Sequence, residues 1–175
     1  MNSEIRLRKL EEKDIPGMLE WMHDPDAYRW FRFNAEEMTP ERVRNFIANS
    51  FTETARHYAI TDETDEYLGT ISIEDIDREN SRAMIAYSLR SCARGKGIIY
   101  TAIEKVFGIV FDELKLERFY VNVLADNIRS KRSLQKAGFV YEGCFRRHMK
   151  LRGEWHDLEW YAILKDEYYA RNNRG

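Results

Sequence analysis

Two glycines and two cations fall together at Arg94-Gly95-Lys96-Gly97-Ile98-Ile99, directly ahead of an apolar run from Tyr100 to Leu114 with helical spacing. A helix that begins in this way leaves its first backbone N–H groups without intrahelical partners and turns the positive end of its dipole toward the loop. Such a start is an anion site, and a pyrophosphate is the expected ligand. The loop is not a P-loop, because Gly95-Lys96-Gly97 lacks a GKS or GKT ending. Nor is it a dinucleotide GxGxxG, because Tyr100 stands where the last glycine would be.

The elements that must position this loop follow from periodicity. Ile5 to Leu10 alternates as a half-buried strand, and a helix capped near Asp14 runs to about His23, with Met18, Leu19 and Met22 inward and Asp24-Pro25 stopping it. Tyr28 to Asn34 reads as an aromatic loop. Thr39 and Pro40 start a second helix whose Val43, Phe46 and Ile47 face inward. Strands at His57–Thr61, Tyr67–Glu74 and Ala83–Leu89, joined by short polar turns, form an antiparallel meander. After the glycine loop comes the apolar helix, in which Gly108 suggests a close packing contact. Arg118–Ala125 follows as a strand covered on both faces, so that the loop sits in a βαβ crossover. A short helix opens at Asp126-Asn127-Ile128-Arg129-Ser130 and ends at Gly138. Two further strands meet across a hairpin near Gly153, and Arg171 to Gly175 reads as a frayed tail.

Composition bounds the rest. A chain of 175 residues with 43% hydrophobic and 13% aromatic side chains is expected to fold as one domain over residues 1–175. The 28 Lys and Arg against 30 Asp and Glu, a net charge of −2, give no pull toward nucleic acid or an anionic membrane. No signal-peptide core or membrane-length apolar run is seen, so a cytoplasmic location is expected. Cys92 and Cys144 lack CxxC spacing and read as buried free thiols. His23, His57, His148 and His156 lack metal-ligand spacing, so no metal is expected.

The loop from Arg94 to Ile99 resembles the acyl-CoA-binding signature of the GNAT family of N-acetyltransferases. Asn127-Ile128-Arg129-Ser130 with Lys136-Ala137-Gly138-Phe139 resembles the second signature of that family. Glu142-Gly143-Cys144 with Gly153, Asp157 and Tyr161 is similar to the branch that includes ribosomal-protein N-terminal and spermidine acetyltransferases. The resemblance spans Ile5 to Leu164. It implies an α/β fold, a single GNAT-type domain whose mixed, mostly antiparallel sheet of about seven strands carries helices on both faces. It also implies acetyl-CoA as acyl donor, bound by Leu89, Arg94, Gly95, Lys96, Gly97, Ile98, Ile99, Asn127, Ser130 and Lys136. The chain departs from the pattern in four places, the first being Ile99, where the first signature usually ends in a small residue. The tyrosine many relatives carry in the second helix is replaced by Ser133-Leu134, the carboxylate some place before the glycine loop is replaced by Ala83-Met84, and the acidic residue of the ribosomal branch falls near Met149.

Acetyl transfer to an amine needs a neutral nitrogen, a polarised carbonyl and a proton for the departing thiolate. Ser130 is the candidate acid, with a helix-capping hydroxyl as the alternative. Glu74 is the candidate base, together with its neighbour Asp75, with solvated loop charges as the alternative. Lys96 and Lys136 either meet phosphates or are surface cations. The aromatic segment Tyr28 to Phe33 and the acidic Asp24, Asp26, Glu36 and Glu37 are the candidate lining for a cationic amine. The expected partners are acetyl-CoA and a primary amine, on a protein N-terminus, a polyamine or an amino sugar, with a homodimer as a candidate assembly. Two rivals stand beside this reading: a catalytically silent acyl-CoA sensor, and a ping-pong transferase using Cys92.

Overall fold

The computed structural model describes residues 4–172. Seven strands form one sheet in the order β1-β2-β3-β4-β5-β7-β6. The strands are β1 (Arg6–Lys9), β2 (Arg56–Thr61), β3 (Tyr67–Asp77), β4 (Arg82–Leu89), β5 (Arg118–Leu124), β6 (Val140–Leu151) and β7 (Glu154–Leu164). The helices are α1 (Ile15–Met22), α2 (Pro25–Tyr28), α3 (Pro40–Ala48), α4 (Ile98–Phe107), α5 (Ile128–Lys136) and α6 (Lys165–Asn172). β2 to β4 are the antiparallel meander, with β1 pairing antiparallel along its outer edge, and β5 pairs antiparallel with β7, as β7 does with β6. The single parallel contact in the sheet joins β4 to β5, and its register runs only from Arg82↔Arg118 to Met84↔Tyr120.

The period-two pattern sends alternate residues of the central strands to opposite faces. Ile71, Ile73, Ile85 and Phe119 go to one side, where they bury against Ile103, Val106 and Phe107 of α4 and Leu134 of α5. Ala59 and Tyr67 go to the other side, against Met18 and Trp21 of α1 and Val43 of α3.

Five local expectations change. Asp24 caps a new helical turn instead of merely ending α1, because its side chain accepts the Asp26 N–H at 3.0 Å. Phe46 is 37% exposed, since α3 stands over a cavity where a packed core was expected. Gly108 makes no close packing contact, the nearest atom to an added Cβ being Asp112 Oδ2 at 3.8 Å; it opens a π-helical segment, Gly108–Glu113, that continues α4. β5 is covered on one face only, with Tyr120 and Asn122 turned to an open cleft. Arg171 is not frayed, because α6 carries it onto the Ala137 carbonyl and Glu104; residues 173–175 of the expected tail lie outside the described residues.

Candidate active site

The short β4–β5 pairing is what opens the site. Beyond Met84 and Tyr120 the two strands diverge and the backbone of Ala86 to Leu89 has no partner strand on the β5 side, among the described residues. The gap is a cleft of about 570 Å³ whose walls include Ala86 to Leu89, Ile99, Val121 to Val123, Asn127 and Ser130.

At one end of the cleft the glycine loop turns into α4. Gly95 and Gly97 hold φ at 76° and 75°, the left-handed region where glycine escapes the Cβ penalty. An added Cβ at either would meet nothing within 4 Å, so the loop's outer surface is open. The first amide near the start of α4 with a backbone acceptor is that of Thr101, which donates to Gly97 O at 3.2 Å; the amides from Gly95 to Tyr100 have no recorded acceptor among the described residues. That is an unfilled nest of donors at the positive end of a helix. Arg94 serves the loop differently from expectation. Its guanidinium donates to the Leu89 carbonyl at 3.1 and 3.2 Å and to Asp24 at 2.6 Å, so it ties the end of β4 to the start of α2 and its charge is already matched. Lys96 stays exposed on the loop, and Lys136 lies with Nζ 4.7 Å from the Tyr100 ring centroid.

On the cleft wall, Asn127 caps α5, its Oδ1 accepting the Ser130 N–H at 3.2 Å. The Ser130 hydroxyl is therefore free of the capping role, and it lies 2.8 Å from the Tyr87 hydroxyl. Burial pushes the Tyr87 phenol up to about 12, so it stays protonated. Tyr87 carried no signal in the sequence; it occupies a strand position facing α5, 43 residues from Ser130.

The two candidate carboxylates separate. β3 carries a bulge after Glu74, where two residues oppose Ala83 alone, and Asp75 takes φ of 48°. Asp75 ends exposed at the cleft, while Glu74 points with Thr70 and Ser72 into a second cavity of about 350 Å³ on the α1 and α3 side. Glu74 Oε1 lies 3.7 Å from His57 Nδ1, which itself pairs with Ser72 Oγ at 2.7 Å. Loss of water, and then the charge of Asp75, raise the Glu74 carboxyl above its usual range; burial lowers His57, leaving the imidazole neutral. Glu74 and Ser130 thus line different chambers, and the chambers share Ala86, Tyr87, Ser88 and Phe31.

The aromatic segment divides likewise. Trp30 and Arg32 line the cleft, Phe33 the second cavity and Phe31 both. Of the acidic residues expected beside it, Asp26 lines the cleft, Asp24 is held by Arg94, Glu37 is held by Arg42 at 2.6 Å and Glu36 is exposed. Cys92 and Cys144 are exposed rather than buried, because one lies on a surface turn and the other on the edge strand β6. Neither lines the cleft or the second cavity.

Residues 4–140 match the model of the acetyltransferase (GNAT) domain. The chain is 30% identical over 168 residues to the N-acetyltransferase p20 of Bacillus licheniformis, covering 94% of each. It is also 30% identical over 141 residues to the ribosomal-protein-serine acetyltransferase of Escherichia coli, covering 80% of this chain and 78% of that one. In structure it superposes on the spermidine N-acetyltransferase of Vibrio cholerae, solved with CoA and spermine, with a TM-score of 0.86 over 96% of this chain and 99% of that one. The identity there is 21%, a likeness of fold.

Proposed function

The chain belongs to the GNAT acetyltransferase family, and from that premise we propose that it moves the acetyl group of acetyl-CoA directly onto a primary amine held in the second cavity. The observation that carries this reading is the meeting of the two chambers at Ala86 to Ser88, with a hydroxyl pair on one side and a carboxylate on the other.

Acetyl-CoA is the acyl donor and supplies an activated carbonyl with a thiolate leaving group. The residues that fit it are the open amides of Gly95 to Ile99 for the pyrophosphate, with Lys96 beside them, and the unpaired edge of Ala86 to Leu89 for the carbonyl side. Lys136 and Asn127 stand on the same side of the cleft, Asn127 acting by holding the first turn of α5 in place. On the acceptor side, Glu74 takes a proton from the ammonium, because an ammonium has no lone pair with which to form the C–N bond. As that bond forms and the C–S bond breaks, the Ser130 hydroxyl gives its proton to the sulfur and is reprotonated from Tyr87, 2.8 Å away. Of the two protons the nitrogen sheds, the first leaves through Glu74 to solvent and the second replaces the one Tyr87 gave up, so the products are an amide, a free thiol and one proton released to solvent. Both cysteines lie off the cleft, which favours direct transfer over an acyl-cysteine route. Exposed free thiols also suit a reducing, cytoplasmic setting.

Incubation with acetyl-CoA and a panel of primary amines, followed by free-thiol release, tests the proposal. Turnover with at least one amine, retained in Cys92→Ala, is expected. Acetyl-CoA binding with no thiol release on any amine would instead favour a sensor module.

A further inference from the structure

Relatives are named for acceptors as different as a ribosomal-protein serine and spermidine, so the acceptor class must be sought in this chain's own second cavity. Its apolar wall is built from three rings in mutual contact: Trp21 to Phe31 at 5.5 Å, Trp21 to Phe33 at 6.0 Å and Phe31 to Phe33 at 5.6 Å between centroids. Val43 and Phe46 of α3 complete the apolar lining. The polar atoms on the lining are largely committed. Trp21 Nε1 donates to Tyr67 O–H at 2.9 Å, Thr70 pairs with that same hydroxyl at 2.7 Å, and Ser72 pairs with His57.

Two charged side chains line the cavity, Arg42 and Glu74. Arg42 is already paired with Glu37, and the neutral His57 beside Glu74 does not cancel its charge. One carboxylate on the lining of an apolar chamber can match one ammonium. Each further ammonium of a polyamine would lose its water against ring faces without a counter-charge, a cost that several partners elsewhere would have to offset. The volume of about 350 Å³ lies at the small end of ligand sites, which suits a compact body and not a peptide strand with its own unpaired amides.

Resting on the transferase reading above, we infer that the acceptor is a small monoamine with an apolar, ring-sized body, its nitrogen at Glu74 and its body between the Trp21–Phe31–Phe33 rings and α3. Phe46, 37% exposed at the rim, is then the residue at which the selectivity for a single charge is tuned.

The test compares kcat/KM for phenethylamine, spermidine and a short peptide with a free N-terminus, using the whole chain and acetyl-CoA. Phenethylamine is expected to exceed both others by about tenfold or more, an apolar pocket's ordinary discrimination. Phe46→Glu, which adds a second carboxylate to the cavity lining, is expected to shift the spermidine-to-phenethylamine ratio toward spermidine by about tenfold. Spermidine or the peptide preferred by the unaltered protein would overturn the monoamine assignment and leave the transferase intact. No acetylation of any of the three and of the wider amine panel, with acetyl-CoA still bound, would overturn both.

Discussion

The carboxyl of Glu74 keeps its proton to higher pH than an ordinary side-chain acid because water is scarce around it, and the neighbouring charge of Asp75 adds to the effect. A base must be ionised to work, so the acid limb of kcat/KM is expected above the usual carboxylate range, with activity lost as pH falls through it. Asp75→Asn removes a like charge, which favours ionisation of Glu74 and should move that limb to lower pH; asparagine also tolerates the left-handed backbone at this position. Glu74→Gln should lower kcat by about a hundredfold or more and abolish the limb. A limb unmoved in both variants would assign the base elsewhere. This separation is not legible when the strand is taken to end at Glu74; β3 runs on to Asp77, and neighbouring residues of a strand face opposite sides. The Tyr87–Ser130 contact was hidden for a different reason: a hydroxyl pair 43 residues apart leaves no periodicity.

Among the elements, the glycine loop with α4 and the Asn127-capped α5 were the most legible, because both depend on local rules. A left-handed glycine before a helix and an Asx cap are set by a few adjacent residues. Gly97→Asp should therefore act twice, straining a backbone at φ of 75° and putting a carboxylate into the donor nest. Acetyl-CoA at a hundredfold excess over its Kd should raise the Tm of the unaltered protein by roughly 5–10 °C, and that rise should vanish in the variant. Differential scanning fluorimetry with and without the ligand checks this, and an undiminished rise would remove the loop from the site. Less legible was α3. Its helical spacing predicted Phe46 inward, and burial periodicity cannot tell a core from a chamber roof. Arg94 similarly looked like a phosphate ligand until Asp24, 70 residues away, was seen to hold it.

At the scale of the whole molecule, the meander and the crossover were legible in the sequence because such connections restrict the choices, whereas the insertion of β7 between β5 and β6 was not. What the pattern could not express was where β4 and β5 stop pairing, a matter of three registered positions. That short seam has a mechanical consequence. The meander half, β1 to β4, and the β5-β7-β6 half share only those rungs of the ladder, so the sheet is a zipper left open at one end. A donor lying along Ala86 to Leu89 and against Val121 to Val123 would supply the missing rungs. Hydrogen–deuterium exchange should then show the amides of both stretches slowing together when acetyl-CoA binds, with β2 little changed. Slowing confined to the glycine loop would mean the donor docks without bracing the sheet. In the braced case, the first substrate also acts as the last strut of the fold, and the stiffness of the acceptor chamber behind β4 depends on whether it is in place.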